Sequence, residues 1–211
     1  MWNISNQQCL STVEEGSPVY QVCVTPTQDM IITCGKGGEL NLYNSTTLYK
    51  ERTLMASPYP SKMDGHMSPI YCIKHHPVDT WNFLSGGWDN TVHFWDRREI
   101  NSIKHLSGVH TCGKTIDIDH LTNTILVSSN FEFHNYYWFF IFSYILVKTG
   151  SNRARPTSSE EHGLQLWDYR EFTLMRSIPS TPEERCSYYS AQFLGSVTGI
   201  FFVKWVTLRI S

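Results

Sequence analysis

Several features that mark common protein classes are scarce in this 211-residue sequence. Charged residues make up only 17%, and 17 Lys and Arg stand against 19 Asp and Glu, so the chain lacks the basic surplus of a nucleic-acid-binding domain. The six cysteines never form a Cys-x-x-Cys pair, and no cysteine–histidine spacing fits a zinc site. These absences predict a protein with no metal site, no cofactor and no nucleic-acid partner.

A long hydrophobic run is also missing. The most apolar stretch, residues 136–147, has 12 residues, whereas a transmembrane helix needs about 20. Residues 1–16 are polar and lack the apolar centre of a secretory signal. Cysteines outside the secretory pathway are usually reduced. We therefore expect a cytoplasmic or nuclear protein with free thiols and no membrane contact.

What the sequence does contain is a repeated β-type pattern. Apolar residues make up 41% of the chain, enough for a packed core, and 13 glycines and nine prolines predict many turns. Residues 84–96 lie 52 positions after residues 32–44, and both stretches pass from an apolar strand end through a glycine-rich turn into an alternating strand. Residues 163–168 repeat the ending of this pattern. Alternation with a period of two is typical of strands, so we predict an all-β fold.

The second copy of the pattern resembles a WD repeat. Gly65-His66 is followed, after 28 residues, by Trp95-Asp96, and a Ser-Gly-Gly-Trp-Asp-Asn turn lies between them. The resemblance extends over residues 18–196 and implies a β-propeller, in which each repeat forms a four-stranded blade. At roughly 40–45 residues per blade, the chain holds about four blades. We therefore expect an incomplete propeller.

The resemblance also implies a buried structural tetrad in this repeat. It would run as a hydrogen-bonded chain from Trp95 through Ser85 and His66 to Asp89, which suits a buried indole and a buried imidazole because both need partners. A histidine, a serine and an aspartate are also the residue types of a hydrolytic triad. Their spacing is the spacing of the WD repeat, so we predict no catalytic residue and no enzymatic activity.

The neighbouring repeats depart from this pattern. In the preceding repeat, Thr33 stands at the position of Ser85 and Gly37 at the position of Asp89, and no Gly-His pair comes before them. We expect that blade to lack the full network. In the following repeat, His110 is the candidate for the tetrad histidine.

Residues 127–148 break the regular spacing. Trp95 and Trp167 are 72 positions apart, 20 more than the first interval, and nine of the 17 residues in 131–147 are aromatic. Three interpretations stay open: a transmembrane helix, a genuine loop insertion, and an intron translated in frame. We favour the intron, because a splice-donor consensus can encode the first two residues of the segment, and because an exposed aromatic loop of this size is rare in soluble proteins.

Residues 197–211 show no repeat pattern either. The predicted organisation is therefore an N-terminal lead-in at residues 1–17, a partial propeller at 18–196 with a foreign insert at 127–148, and a non-repeat tail at 197–211.

Two residues are candidates for partner binding. Trp88 occupies the turn between two blade strands, where propellers of the WD family present binding side chains, and Lys36 is the aligned residue of the preceding repeat. The alternative interpretation is that Trp88 packs against a neighbouring blade.

From the resemblance we predict a non-catalytic scaffold that binds other proteins or peptides within a larger intracellular complex. Two alternatives are an enzyme with its site in the propeller channel and a non-functional product of truncation or mis-splicing. The sequence identifies neither the partner nor the subfamily.

Overall fold

The computed structural model describes residues 1–111, 113–128, 139–145, 163–179, 186–194 and 199–206. Over these residues the chain forms β-strands and one short 3-10 turn, Pro60–Lys62, and it forms no α-helix. The predicted all-β fold is confirmed. A two-stranded hairpin of β1 (Trp2–Asn3) and β2 (Gln8–Cys9) comes first.

Blade 1 is a four-stranded antiparallel sheet whose strands follow one another in chain order. They are β3 (Val19–Val24), β4 (Met30–Gly35), β5 (Leu40–Asn44) and β6 (Lys50–Leu54). The turn from β4 to β5 contains Gly38 at φ 77°, a left-handed conformation that glycine adopts without steric cost. The glycine-rich stretch of the first repeat is thus a strand connection.

Blade 2 has the same construction. Its strands are β7 (Ile70–His75), β8 (Asn82–Gly87), β9 (Thr91–Asp96) and β10 (Lys104–Ser107), again in chain order. Every residue of β9 is buried, because this strand is covered on both faces. The 52-residue interval in the sequence therefore corresponds to the step from one four-stranded blade to the next.

The strands of blade 3 are not consecutive in sequence, but they are adjacent in one sheet. It consists of β11 (Ile116–Asp119), β12 (Thr124–Ser128), β14 (Gly163–Asp168) and β15 (Leu174–Pro179), while β13 (Phe139–Ile145) belongs to another sheet. β12 pairs directly with β14, with Ile125 opposite Trp167. Val127 and Ser128, the first two residues of the predicted insert, are buried members of β12.

A fourth sheet has three strands in the order β13, β17 (Gly199–Val206), β16 (Cys186–Leu194). All its pairings are antiparallel. The part of the predicted tail at 199–206 is therefore a strand, and its partner β13 lies within the predicted insert. The rest of the insert beyond Ser128, and residues 207–211, lie outside the described residues.

The hydrophobic core lies between successive blades. One buried cluster joins blades 1 and 2, and it consists of Ile32, Cys34, Leu40, Leu42, Leu54, Ile70, Ile73, Phe83 and Trp95. A second cluster joins blades 2 and 3, and it consists of Cys72, Leu84, Val92, Phe94, Leu106, Val109, Ile116, Ile118, Ile125 and Val127. Each blade is thus stabilised by apolar burial against its neighbour.

A polar contact also connects blades 1 and 2. The Gln21 side-chain amide donates from Nε2 to the Ile73 carbonyl at 3.0 Å, and its Oε1 accepts from the Ile73 backbone N–H at 2.8 Å. Ile73 lies on β7, an edge strand of blade 2. Gln21 therefore provides a hydrogen-bond partner for both the backbone N–H and the backbone carbonyl of Ile73.

Candidate interaction surface

The four residues of the implied tetrad meet in blade 2. Trp95 Nε1–H donates to Ser85 Oγ at 2.7 Å, and His66 Nε2 lies 2.7 Å from the same oxygen. His66 Nδ1 lies 2.8 Å from Asp89 Oδ2. In the tautomer with its proton on Nδ1, His66 donates to Asp89 and accepts from the Ser85 hydroxyl, so every proton has an acceptor.

The environment of Asp89 strongly favours the carboxylate. Burial raises the pKa of this carboxyl, but hydrogen bonds from His66, Thr91 and the Met67 amide, together with electrostatic attraction to His66, hold the pKa at about 2. Thr91 Oγ1 donates to Asp89 Oδ1 at 2.5 Å and the Met67 N–H donates to Oδ2 at 3.1 Å. The carboxylate therefore ties the entry of β9 to the segment that precedes β7.

Ser85 is not placed to act as a nucleophile. Its residue is completely buried, and its oxygen is already bonded to both Trp95 and His66. A hydrolytic triad needs a serine oxygen that a substrate can reach. The His66, Ser85 and Asp89 geometry is therefore that of a structural network.

A third imidazole lies beside this network. His93 packs edge-on against His66 with ring centres 4.4 Å apart, and its Nδ1 lies 2.8 Å from Ser102 Oγ. Burial lowers the pKa of His93 to about 3, so this ring is neutral at pH 7. One ligand atom from each of His66, Asp89 and His93 lies within 4.8 Å of the others. Both nitrogens of His66 are already bonded, so a cation would have to break the network to bind.

The glycines of the Ser-Gly-Gly turn make room for these contacts. A Cβ on Gly87 would lie 2.8 Å from His66 Nδ1 and 3.1 Å from the Pro69 carbonyl oxygen. A Cβ on Gly86 would lie 2.6 Å from Thr111 Oγ1. Close approach of neighbouring segments therefore requires glycine at both positions.

Blade 1 contains a counterpart that sequence reasoning missed. Glu15 accepts hydrogen bonds from Thr33 Oγ1, from Asn41 Nδ2 at 2.8 Å and from the Tyr43 hydroxyl at 2.9 Å. Thr33 and Tyr43 stand 52 positions before Ser85 and Trp95, so Glu15 occupies the role of His66. Burial and the hydrogen bond to Glu15 raise the pKa of Tyr43 to about 12.

Among the described residues, blade 3 shows neither version of the network. The Trp167 indole donates to Gln165 Oε1 on its own strand at 3.0 Å, and the strand register puts Val127 where blade 2 has Ser85. The prediction that His110 is the tetrad histidine of this blade is wrong. His110 Nδ1 lies 2.7 Å from Asn90 Oδ1, in the turn of blade 2.

Above the networks, four rings form a surface that we call the aromatic strip: Tyr20, Tyr71, Trp88 and His110. Ring centres are 4.7 Å apart from Tyr20 to Tyr71, 5.4 Å from Tyr71 to Trp88 and 5.9 Å from Trp88 to His110. Trp88 is 50% exposed and Tyr20 is 42% exposed. The strip thus crosses from blade 1 over blade 2 to the segment leading into blade 3.

Two bulges place the tyrosines in the strip. The register of β3 against β4 skips Tyr20, and the register of β7 against β8 skips Tyr71 at the matching position. A bulge leaves one residue unpaired and re-aims its side chain. The recurrence of tyrosine 51 positions apart was the sequence signal for this pair, and it was overlooked.

The two predicted partner-binding residues lie at the same edge of the sheets, which we call the upper edge. The Trp88 N–H donates to the Pro69 carbonyl at 3.1 Å, and the Lys36 N–H donates to the Pro18 carbonyl at 3.0 Å. Both side chains are exposed. The Trp88 ring contacts neighbouring rings and still presents half its surface to solvent, so its role in partner binding stays a prediction.

Comparisons with known proteins agree with this architecture. The family model described as "WD domain, G-beta repeat" matches residues 58–96, the span of blade 2 that holds the tetrad. The structures of U3-55K and of the RRP9 WD40 repeats each align with a TM-score of 0.59 and 12% identity over 85% of this chain. The chain therefore contains a WD repeat, and the predicted resemblance to the WD-repeat family is confirmed.

Two curated relatives are much longer than this chain. Ribosome biogenesis protein YTM1 of Phaeosphaeria nodorum is 22% identical over 101 residues, 48% of this chain and 20% of the relative. The ytm1 protein of Pyrenophora tritici-repentis is 20% identical over 101 residues, 48% of this chain and 21% of the relative.

The WD-repeat chain therefore spans about a fifth of the length of these relatives, and 43–44% of the aligned propeller structures. This coverage fits an incomplete propeller, as predicted. Among the residues that the structure describes, no helix has the length and apolar character needed to cross a membrane.

Proposed function

We propose that this WD-repeat chain is a non-catalytic scaffold that binds other proteins through the aromatic strip. The observation that carries the proposal is a row of four adjacent aromatic rings in which Trp88 is half exposed. Exposed aromatic residues on a rigid support are typical anchors of protein interfaces. The tetrad beneath supplies the rigidity, because His66 is bonded both to Ser85, before Trp88, and to Asp89, after it.

The relatives support a role within a large assembly. Two of them are named for ribosome biogenesis, and WD-repeat proteins are in general non-catalytic interaction modules. We propose protein or peptide partners for this chain and a cytoplasmic or nuclear location, of which ribosome biogenesis favours the nucleus. The nearly balanced charge, a net of −2 at pH 7, supports contact with proteins over direct contact with nucleic acid.

We also propose that blades 1 to 3 are the complete blades of this partial propeller and that the foreign segment begins after Ser128. The direct pairing of β12 with β14 supports this boundary, because the two strands are neighbours in blade 3 although residues 129–162 separate them in sequence. Val127 and Ser128 complete β12, so the boundary lies two residues later than the sequence suggested.

The test of the scaffold role is co-purification from cell extract with three variants. Trp88→Ala should reduce recovery of bound proteins about tenfold or more, while the melting temperature stays within a few degrees of the parent. Lys36→Glu should have a smaller effect that shrinks at high salt. Tyr49→Ala is the matched control, because Tyr49 is a more exposed aromatic residue in the turn from β5 to β6.

The outcomes separate the two roles of Trp88. Loss of partners with unchanged stability supports the aromatic strip as the binding surface. A sharp fall in melting temperature with an intact set of partners would show that Trp88 serves packing alone.

A further inference from the structure

The turn from β7 to β8 lies at the opposite, lower edge of blade 2, away from the aromatic strip. It begins at His76 and ends at Trp81, and the His76 N–H donates to the Asn82 carbonyl at 3.0 Å. The Trp81 carbonyl accepts from the Arg97 N–H at 3.0 Å. The Trp81 ring lies 4.4 Å and 4.9 Å from the guanidinium carbons of Arg97 and Arg98. The turn therefore also positions the loop that follows β9.

The His76 side chain accepts two backbone hydrogen bonds within this turn. The Asp79 N–H donates to His76 Nδ1 at 2.8 Å, and the Val78 N–H donates to the same nitrogen at 3.3 Å. An imidazole nitrogen accepts only while it carries no proton, so neutral His76 has its proton on Nε2. Protonation of the ring places a hydrogen on Nδ1, which then faces two other donors. The hydrogen bonds to both amides are lost in that state.

Blade 1 has a corresponding turn with a hydroxyl in place of the imidazole. Thr25 directly follows β3 as His76 directly follows β7, and its N–H donates to the Met30 carbonyl at 3.0 Å. Thr25 Oγ1 accepts from the Met30 N–H at 3.1 Å and donates to Asp29 at 2.6 Å. The hydroxyl does not titrate, and an aspartate is ionised above about pH 5. Mild acid therefore changes the acceptor in blade 2 and leaves the acceptor in blade 1 as it is.

Titratable groups of blades 2 and 3 surround the His76 ring. Asp79 lies in the same turn, His120 in the turn from β11 to β12, and Tyr169 in the turn from β14 to β15. The Tyr169 ring packs on the His76 ring with ring centres 4.9 Å apart. On β7, His75 Nδ1 lies 3.1 Å from the His76 carbonyl oxygen. His76 is thus a contact between the lower edges of blades 2 and 3.

The closed turn favours neutral His76. Burial lowers the pKa of His76 below its ordinary value of 6.5, the Asp79 carboxylate partly opposes this shift, and His120 adds to it. When the turn opens, the ring is exposed to water and its pKa returns towards 6.5. The open turn therefore takes up a proton first as pH falls, and acid shifts the equilibrium towards it. Burial raises the pKa of Tyr169 to about 12, so this neighbour stays neutral throughout.

We propose that the turn from His76 to Trp81 is a pH-sensitive latch, which neutral His76 closes and mild acid opens. Protonation of Nδ1 breaks the hydrogen bonds to the Val78 and Asp79 amides. The ring then leaves Tyr169, and the contact between blades 2 and 3 loosens at the lower edge. The latch is separate from partner binding at the aromatic strip, which lies at the upper edge.

Two NMR measurements on the ¹⁵N-labelled full chain test the latch. The nitrogen shifts of the His76 ring should show the Nε2–H tautomer at about pH 7.5. Amide exchange rates, each divided by the rate of an unstructured chain at the same pH, give the protection of single amides. Protection of the Val78 and Asp79 amides should fall about tenfold or more between about pH 7.5 and about pH 5. Protection of the Met30 amide, in the blade 1 turn, should change less than about twofold.

Variants assign the pH response to one ring. His76→Asn keeps an acceptor oxygen that does not titrate, so the Val78 and Asp79 amides should stay protected at both pH values. His120→Asn is the matched control, because it removes the other imidazole at this boundary and leaves His76 in place. Its turn should still lose protection in acid, and at a slightly higher pH, since His120 lowers the pKa of His76.

Three results would each overturn the proposal. They are an Nδ1–H tautomer of His76 at neutral pH, equal protection of the Val78 and Asp79 amides at both pH values, and an equal acid response in the parent and in His76→Asn. The tautomer is measured on the parent chain, so that test does not depend on whether a variant folds.

Discussion

Replacement of His66 by alanine should destabilise blade 2 in a way that the geometry specifies. The substitution removes the 2.8 Å contact to the Asp89 carboxylate and the 2.7 Å contact to the Ser85 hydroxyl. Both groups lie in a site where His66 is only 3% exposed. A lost hydrogen bond to a charged group costs about 1.5–3 kcal/mol, and an unpartnered hydroxyl adds about 1 kcal/mol. We expect a total loss of about 2–4 kcal/mol at pH 7.

The loss should depend on pH. Because the folded-state pKa of Asp89 is about 2, below its ordinary value of 3.8, ionised Asp89 stabilises the fold above about pH 4, and this contribution is lost as pH falls towards 2. His66→Ala removes much of the contribution, so its destabilisation should be largest near neutral pH. The difference in unfolding free energy between parent and variant should shrink below about pH 4.

Urea unfolding at several pH values measures this difference. His120→Ala is the matched control, because His120 is an exposed histidine in the turn from β11 to β12, and its loss should cost under about 0.5 kcal/mol. Ser85→Ala combined with His66→Ala in a double-mutant cycle should show coupling of about 1 kcal/mol. Equal effects of the His66 and His120 substitutions, or no coupling with Ser85, would refute the reasoning.

Three further predictions concern the rest of the fold. Glu15→Ala should cost about 2–3 kcal/mol in urea unfolding, and Glu15→Gln less, because three donors lose a shared acceptor and glutamine keeps one acceptor oxygen. Gly35→Ala should lower the melting temperature sharply, because its Cβ would lie 1.9 Å from the Pro18 carbonyl oxygen. Deletion of residues 129–148 should raise soluble yield by removing an aromatic segment with little charge, whereas deletion of 127–148 should also remove two buried residues of β12 and lower the melting temperature.

The parts of the fold that could be predicted from sequence were those encoded locally. The strand alternation, the glycine turns and the 52-residue offset lie within short windows, so blades 1 and 2 follow from them directly. The positions of His66, Ser85, Asp89 and Trp95 follow from a spacing that a single repeat contains.

The features that were missed include a residue that takes the same position as its counterpart in another blade but has a different side-chain type. In blade 1, Glu15 takes the position that His66 has in blade 2, and no local sequence motif predicts this. Its only signals are its position, 51 residues before His66, and the polar types of Thr33 and Asn41 in the strands opposite. The same limit explains the error at His110, whose interaction with the turn of blade 2 becomes visible only when the blades are packed.

The contacts of Arg97 were out of reach of sequence reasoning for a related reason. Arg97 and Asp29 are 68 positions apart, and their ion pair crosses from one blade to the next. Trp81 reaches the two arginines only because β8 and β9 pair antiparallel and bring its end of the sheet beside theirs. Neither contact is reflected in a periodic pattern of the sequence.

The bidentate contact between Gln21 and the backbone of Ile73 has a consequence for synthesis on the ribosome. Chains emerge from the N terminus, and domains generally fold as units in that order. The side chain of Gln21 obtains its partner 52 residues later, and the first core cluster likewise needs Ile70, Ile73 and Phe83. The face of blade 1 that packs against blade 2 therefore stays exposed to solvent until β7 and β8 have left the ribosomal exit tunnel. We therefore expect a pair of blades to be the smallest unit of this protein that folds during translation.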